Sequence, residues 1–188
     1  MRKLNRKLLF LLLTAFLLAN ATVVYAYTMH HTQDLVNTFL PARVDSEVVE
    51  SFDGNAKSEI KIQNTSNVEA YLRMKIITYW QDSKGNIVAN PPAALNPSIN
   101  GTHWFLHDNG YYYYKHPVSA GATTPDNLLT APIEMTVYTE VFNGVTYTYY
   151  PVVEIVSEAF QSKPAHAVSD NWGVTVGSNG DISQKQTT

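Results

Sequence analysis

KSEIKIQNTSNVEAYLRMKIITYW, residues 57–80, is the stretch whose reading decides the fold. From Val68 the even positions run Ala70, Leu72, Met74 and Ile76, while the odd positions run Glu69, Tyr71, Arg73, Lys75 and Ile77. Side chains in a strand alternate between faces, so this is a strand with one buried and one wetted face. Upstream, Ile60 and Ile62 alternate with Glu59, Lys61 and Gln63, a second strand that ends at Asn64-Thr65-Ser66-Asn67. Four such residues in a row bond their own backbone and belong to neither strand. The two strands are expected as a core pair of an all-β domain.

Working outward, turn signals recur at spacings typical of a sandwich or barrel. Asp53-Gly54, residues 82–86, Asp108-Asn109-Gly110, residues 119–121 and residues 124–126 each separate apolar runs. Residues 90–100 hold three prolines and three asparagines and read as a surface excursion. Ile133, Met135, Val137 and Val141 alternate with polar residues up to Asn143-Gly144, the strongest short hairpin signal. The return strand, residues 145–150, is expected to stop at Pro151, with residues 152–160 as a further central strand. Ser162, Pro164 and Gly173 frame a short helix over residues 165–171, with Ser162 as N-cap and Trp172 tucked against the sheets. Val174 and Val176 make a last strand, and residues 178–188 a polar tail. The expectation is one antiparallel β-sandwich over residues 45–177, with eight to ten strands and one short helix.

The first 26 residues carry the plainest functional signal. Arg2, Lys3, Arg6 and Lys7 precede the apolar run LLFLLLTAFLL, and Val24 and Ala26 occupy the −3 and −1 positions before Tyr27. That is the pattern of a secretory signal-peptide helix cleaved between Ala26 and Tyr27. Its loss leaves nine cationic residues against 16 Asp and Glu, about −7 for the mature chain. Nucleic acid and anionic lipid both demand a basic footprint, so neither is expected as a partner, and the membrane is met only during export. Cys is 0, which excludes a thiol nucleophile, a cysteine metal site and a lipid-modified cysteine.

Sites of chemistry are sparse. His103 and His107 are the nearest approach to a metal pair, but the residue after His103 is Trp104 and the setting is strand and turn, where positions four apart lie ~13 Å away from each other. There is no G-x-S-x-G, phosphate loop or HExxH, and no enzyme activity or cofactor is expected. Trp104, Tyr111 and Tyr113 could form a ring platform for a polysaccharide, against the competing account of cross-strand packing in the core.

Four stretches taken together, TQDLVNTF (32–39), SEIKIQNTSNVEAYLRMKI (58–76), DNGYYYYKHPVSAGATTPDNLL (108–129) and VEIVSEAFQSKPAHAVSDNWGV (153–174), resemble the family of TasA, camelysin and BsaA, exported proteins of Gram-positive bacteria processed by the SipW-type signal peptidase. The resemblance implies a jelly-roll-like sandwich, secretion, and assembly into biofilm-matrix or cell-surface fibres with copies of itself or related matrix proteins. In such fibres the N-terminal segment of one subunit pairs with the sheet of the next. That role would fall here on residues 34–40, within an N-terminal segment spanning 27–44, with Leu35, Val36 and Phe39 as apolar contacts. The hairpin around Asn143-Gly144 is longer than the family pattern. Camelysin has been labelled a metallopeptidase, and that activity is the remaining alternative, without a zinc motif here to carry it.

Overall fold

The computed structural model describes Thr14 and residues 41–185. Thr14 is helical; the rest of the expected signal peptide, its cleavage residues and the segment 34–40 lie outside the described residues. The rest of the described chain is an antiparallel, all-β sandwich with one short helix.

One sheet has the order β1-β2-β6, with β1 at Ser46–Phe52, β2 at Ala56–Asn64 and β6 at Ile133–Glu134. The other has the order β4-β5-β3-β8-β7: Trp104–Leu106, Tyr112–Tyr114, Ala70–Asp82, Val145–Gln161 and Tyr138–Phe142. The two strands expected as a pair therefore sit in different sheets. Ile60 and Ile62 of β2 meet Leu72 and Met74 of β3 across the core, not along a ladder. The polar break explains it. Asn64 is wholly buried, and its side-chain amide donates to the carbonyls of Val68 and Val118, while its Oδ1 accepts the Ser66 N–H. A self-bonded corner of this kind carries the chain from one sheet to the other, where a two-residue turn would have folded it back beside itself.

The even positions of β3 face the main core with Trp104, Leu128, Ile133 and Val153. The odd positions are not uniformly wetted, because a second cluster covers the outer face of the same sheet. Tyr71 and Tyr113 pack there against Val168 and Trp172 of helix α1 (Ala165–Trp172), and against Val174 and Ile182 of a ribbon formed by β9 (Val174–Val176) and β10 (Ile182–Gln184). The polar C-terminal stretch thus contains a strand, anchored by buried Ile182 and by a bond from its N–H to the Lys115 carbonyl at 2.8 Å.

Helix α1 starts from Pro164 with no side-chain cap; Ser162 instead donates its hydroxyl to Glu69, at 2.8 Å. The helix ends as expected on Gly173, left-handed at φ 65°, whose N–H bonds the Ser169 carbonyl. A Cβ there would stand 3.8 Å from His107 Nε2, an ordinary contact, so only the backbone conformation opposes substitution. Gly173→Ala is expected to lower the unfolding free energy by about 1 kcal/mol in urea titrations, with no change in the slope.

Two expectations about strands change. The alternating run over 133–141 is broken: β6 pairs with β2, residues 135–137 cross between sheets, and β7 pairs with β8. Pro151 does not end a strand either, since β8 runs through it for 17 residues. Pro151 faces Trp80, whose carbonyl is taken by the Val88 N–H on the far side of β3. In an antiparallel ladder the N–H and C=O of a residue share a side, so this is a non-bonded pair and the proline's missing donor points away from β3. There β7, which begins at Tyr138 opposite Tyr149, does not reach. The Asn143-Gly144 turn is as expected, with both residues at positive φ (51° and 75°).

Candidate functional site

The same parity locates an open strand edge. β8 pairs with β3 continuously, from Tyr149 opposite Asp82 to Gln161 opposite Ala70. Ala70 exchanges both of its backbone bonds with Val118, on the other side, so Ala70 and Gln161 form a non-bonded pair as Trp80 and Pro151 do. It follows that the odd residues Val153, Ile155, Ser157 and Ala159 turn their N–H and C=O groups away from β3. Among the described residues that row has no ladder partner, because β7 covers β8 only from Val145 to Tyr149.

Its surroundings are those of an edge on a core. The side chains of Val153, Ile155 and Ala159 belong to the main core, beside half-buried Val48 of β1. The β1 edge comes close, and the Ser46 and Ser157 hydroxyls meet at 3.0 Å, but no backbone ladder joins the two edges among the described residues. Crossing residues 135–137 lie towards one end; at the other, beyond Gln161, an open cavity is lined by Ala42, Val68, Glu69, Ser162 and Lys163. Arg43 is fixed nearby, its N–H to Asn67 Oδ1 at 2.8 Å and its guanidinium to the Thr65 carbonyl at 3.1 Å. The chain therefore enters the sandwich near the Asn64 corner, at the same end as the open cavity. An unpaired row of backbone groups is a template for another strand, and can bind one without any catalytic group.

The expected ring platform lies elsewhere than on a free surface. Trp104 and Tyr113 are wholly buried, and Tyr111 lies half-buried under the Arg73 guanidinium, 4.3 Å from ring centre to carbon. The Trp104 indole N–H is a buried donor without a partner among the described residues, sealed within the main core. Cross-strand packing, the competing account, is what the alternation produced: Trp104 opposes Tyr114 and Phe105 opposes Tyr113. Of the large exposed aromatics among the described residues, Tyr138, Phe142, Tyr147 and Tyr150 are on the β7–β8 hairpin, which the sequence reading treated only as strands, and Phe52 ends β1. Signals were present, in alternating aromatics around Asn143-Gly144 and in the lack of any Lys, Arg or His between His116 and Lys163.

His103 and His107 diverge. His103 Nε2 is 3.5 Å from Asp126 and its ring 5.9 Å from that of His116, whereas His107 packs on Tyr113 and reaches the Gly173 carbonyl at 3.3 Å. No three potential ligands converge among the described residues.

Arg73 organises the outer face of the five-stranded sheet. It donates to Glu158 and to the Tyr113 hydroxyl, and Tyr111 donates its hydroxyl to Glu158 at 2.7 Å. Burial raises the Glu158 carboxyl, but the Tyr111 bond and the Arg73 bonds and charge outweigh it and hold the group below its ordinary value. A depressed carboxyl contributes stability above its unfolded value, and the contribution is lost as pH falls through the folded one. Thermal melts from neutral pH to pH ~3 are expected to show the deficit of Glu158→Gln relative to the parent shrinking over that acid range.

Comparison of the chain with protein-family models, with curated proteins and with solved structures gave no match.

Proposed function

We propose that this chain is a secreted, non-enzymatic structural protein of the extracellular matrix or cell surface, and that its copies associate by strand addition. The segment 34–40 of one copy, through Leu35, Val36 and Phe39, adds to the β8 edge of the next. The row from Val153 to Ala159, without a ladder partner among the described residues, carries this reading. It is long enough for a seven-residue guest strand. The sequence supports it with a signal-peptide pattern and with the resemblance to the TasA, camelysin and BsaA family.

Deleting residues 27–40 from the secreted protein is expected to abolish filaments in electron micrographs and leave a monomer on size exclusion. A second variant tests the acceptor. Ser157→Pro removes an outward N–H from the row that already accommodates Pro151, so the β3 ladder is untouched. It is expected to block assembly, while Ser157→Ala, which loses the Ser46 contact but keeps the N–H, assembles normally. Filaments from both Ser157→Pro and the deletion would refute the reading.

A further inference from the structure

The β7–β8 hairpin continues beyond the sandwich. β3 ends at Asp82 opposite Tyr149, so Val145 to Thr148 pair only with β7, forming a two-stranded ribbon roughly 13 Å longer than the sheet behind it. On the ribbon face that continues the core face of β8 lie Tyr138, Glu140 and Phe142 of β7 and Val145, Tyr147 and Tyr149 of β8, opposed in three tiers. A core face should be covered here, and among the described residues nothing packs over it. Phe142 is 64% exposed, Val145 52%, Tyr147 42% and Tyr138 41%.

The strip is ordered. The Tyr138 and Tyr149 rings stack, centres 6.2 Å apart and 21° from parallel. Tyr149 donates its hydroxyl to Glu140 at 2.9 Å, which fixes the carboxylate in the middle tier beside Tyr147. With no Lys, Arg or His between His116 and Lys163, no cation of the same segment neutralises it.

We propose that this strip binds a polysaccharide carrying free amino groups, a polymer of hexosamine. Charge selects the partner. An ammonium group is attracted by the Glu140 carboxylate and by the faces of the flanking tyrosines. A sugar ring has an apolar face of C–H bonds that lies flat on an aromatic ring, and hydroxyls that tyrosine hydroxyls can meet. The tiers stand ~7 Å apart along the ribbon, which suits an extended chain of rings. An anionic lipid or anionic polymer meets a carboxylate where it needs a cation, and a second copy of this acidic chain brings like charge to the strip. The site is separate from the β8 row and does not depend on strand addition.

The test is calorimetric titration of the full secreted chain, in mildly acidic buffer, with a glucosamine hexamer. An N-acetylglucosamine hexamer, a cellulose hexamer, oligolysine and phosphatidylglycerol vesicles serve as comparisons. The glucosamine hexamer is expected to bind, with affinity at least tenfold lower in the Tyr138→Ser/Tyr147→Ser double variant and several-fold lower in Glu140→Gln. The acetylated and neutral hexamers are expected to bind at least fivefold more weakly. Absence of binding, equal binding by the variants, or oligolysine binding as tightly as the amino sugar would each overturn the proposal. Vesicle binding or self-association lost in the same variants, without sugar binding, would overturn it as well. The side chains changed are exposed, and unaltered melting temperatures establish that the variants are folded. Deletion of residues 27–40 should leave sugar binding intact, and the hairpin variants should leave assembly intact, so either reading can fail alone.

Discussion

Replacing Asn64 by leucine is expected to lower the unfolding free energy by about 3 kcal/mol, read as a shift of the urea midpoint at constant slope. Asn64 is fully buried at the end of β2, and each part of it is used. Its Nδ2 donates to the carbonyls of Val68 at 3.0 Å, Val118 at 2.8 Å and Ser119 at 3.2 Å, and its Oδ1 accepts from Ser66. Its backbone pairs with Ala122 and Gly121. Leucine has the same branched heavy-atom skeleton and is no smaller than asparagine, so the loss comes from polar groups left without partners, not from a cavity. Val118 retains the Ala70 N–H and Ser119 the Ala122 N–H, so Val68 and Ser66 bear most of it. Asn64→Asp is expected to be worse at neutral pH, because a carboxylate would face three carbonyl oxygens and could donate to none. Its carboxyl would titrate above the unfolded value in the fold, so the deficit should shrink as pH falls through that raised value and the acid form regains a donor. A deficit independent of pH would show that the amide does not hold the corner in this way.

Arg73→Met is expected to destabilise by about 2–3 kcal/mol and to change the near-ultraviolet circular dichroism of Trp172. The guanidinium carbon lies 4.3 Å from the Tyr111 ring centre, 4.5 Å from Trp172 and 5.5 Å from Tyr113. The Arg73 side chain is 14% exposed, while Glu158 is 42% exposed, and solvent around the carboxylate keeps the ion pair from dominating. Most of the effect should come from the three rings and from the Tyr113 hydroxyl, which receives Nη1 at 2.7 Å. Arg73→Lys should recover less than half of the loss, because an ammonium cannot span Glu158, Tyr113 and the rings together. Full recovery by lysine would mean that charge alone matters here.

The Pro151 and Asn64 cases show why strand pairing was harder to read than strand existence. A proline is a reliable break only if its N–H would have been bonded, which depends on the length of the neighbouring strand. That neighbour, β7, stops at Tyr138 because residues 135–137 leave for the other sheet. Likewise, Asn64-Thr65-Ser66-Asn67 marks a corner whichever way the chain goes next. Whether β2 and β3 lie side by side or face to face is settled by carbonyls of residues 118 and 119, more than fifty positions away.

For the candidate sites, Trp104, Tyr111 and Tyr113 were visible as rings but not as buried ones. Burial of the odd face of β3 needs α1 and the β9–β10 ribbon, which arrive from the far end of the chain. The exposed hairpin tyrosines have the same alternating pattern and the opposite fate.

The sequence by itself determined that the fold is built of antiparallel strands, the even-numbered core face of β3, the Asn143-Gly144 hairpin and the excess of negative charge. Each of these depends on side-chain alternation, local turn chemistry or a sum over residues. Only the tertiary structure decided which strands share a sheet, that the backbone row from Val153 to Ala159 has no ladder partner among the described residues, and which tyrosines meet solvent. Those outcomes depend on hydrogen bonds and coverage between segments distant along the chain, and a strand's own residues do not record which neighbour will satisfy them.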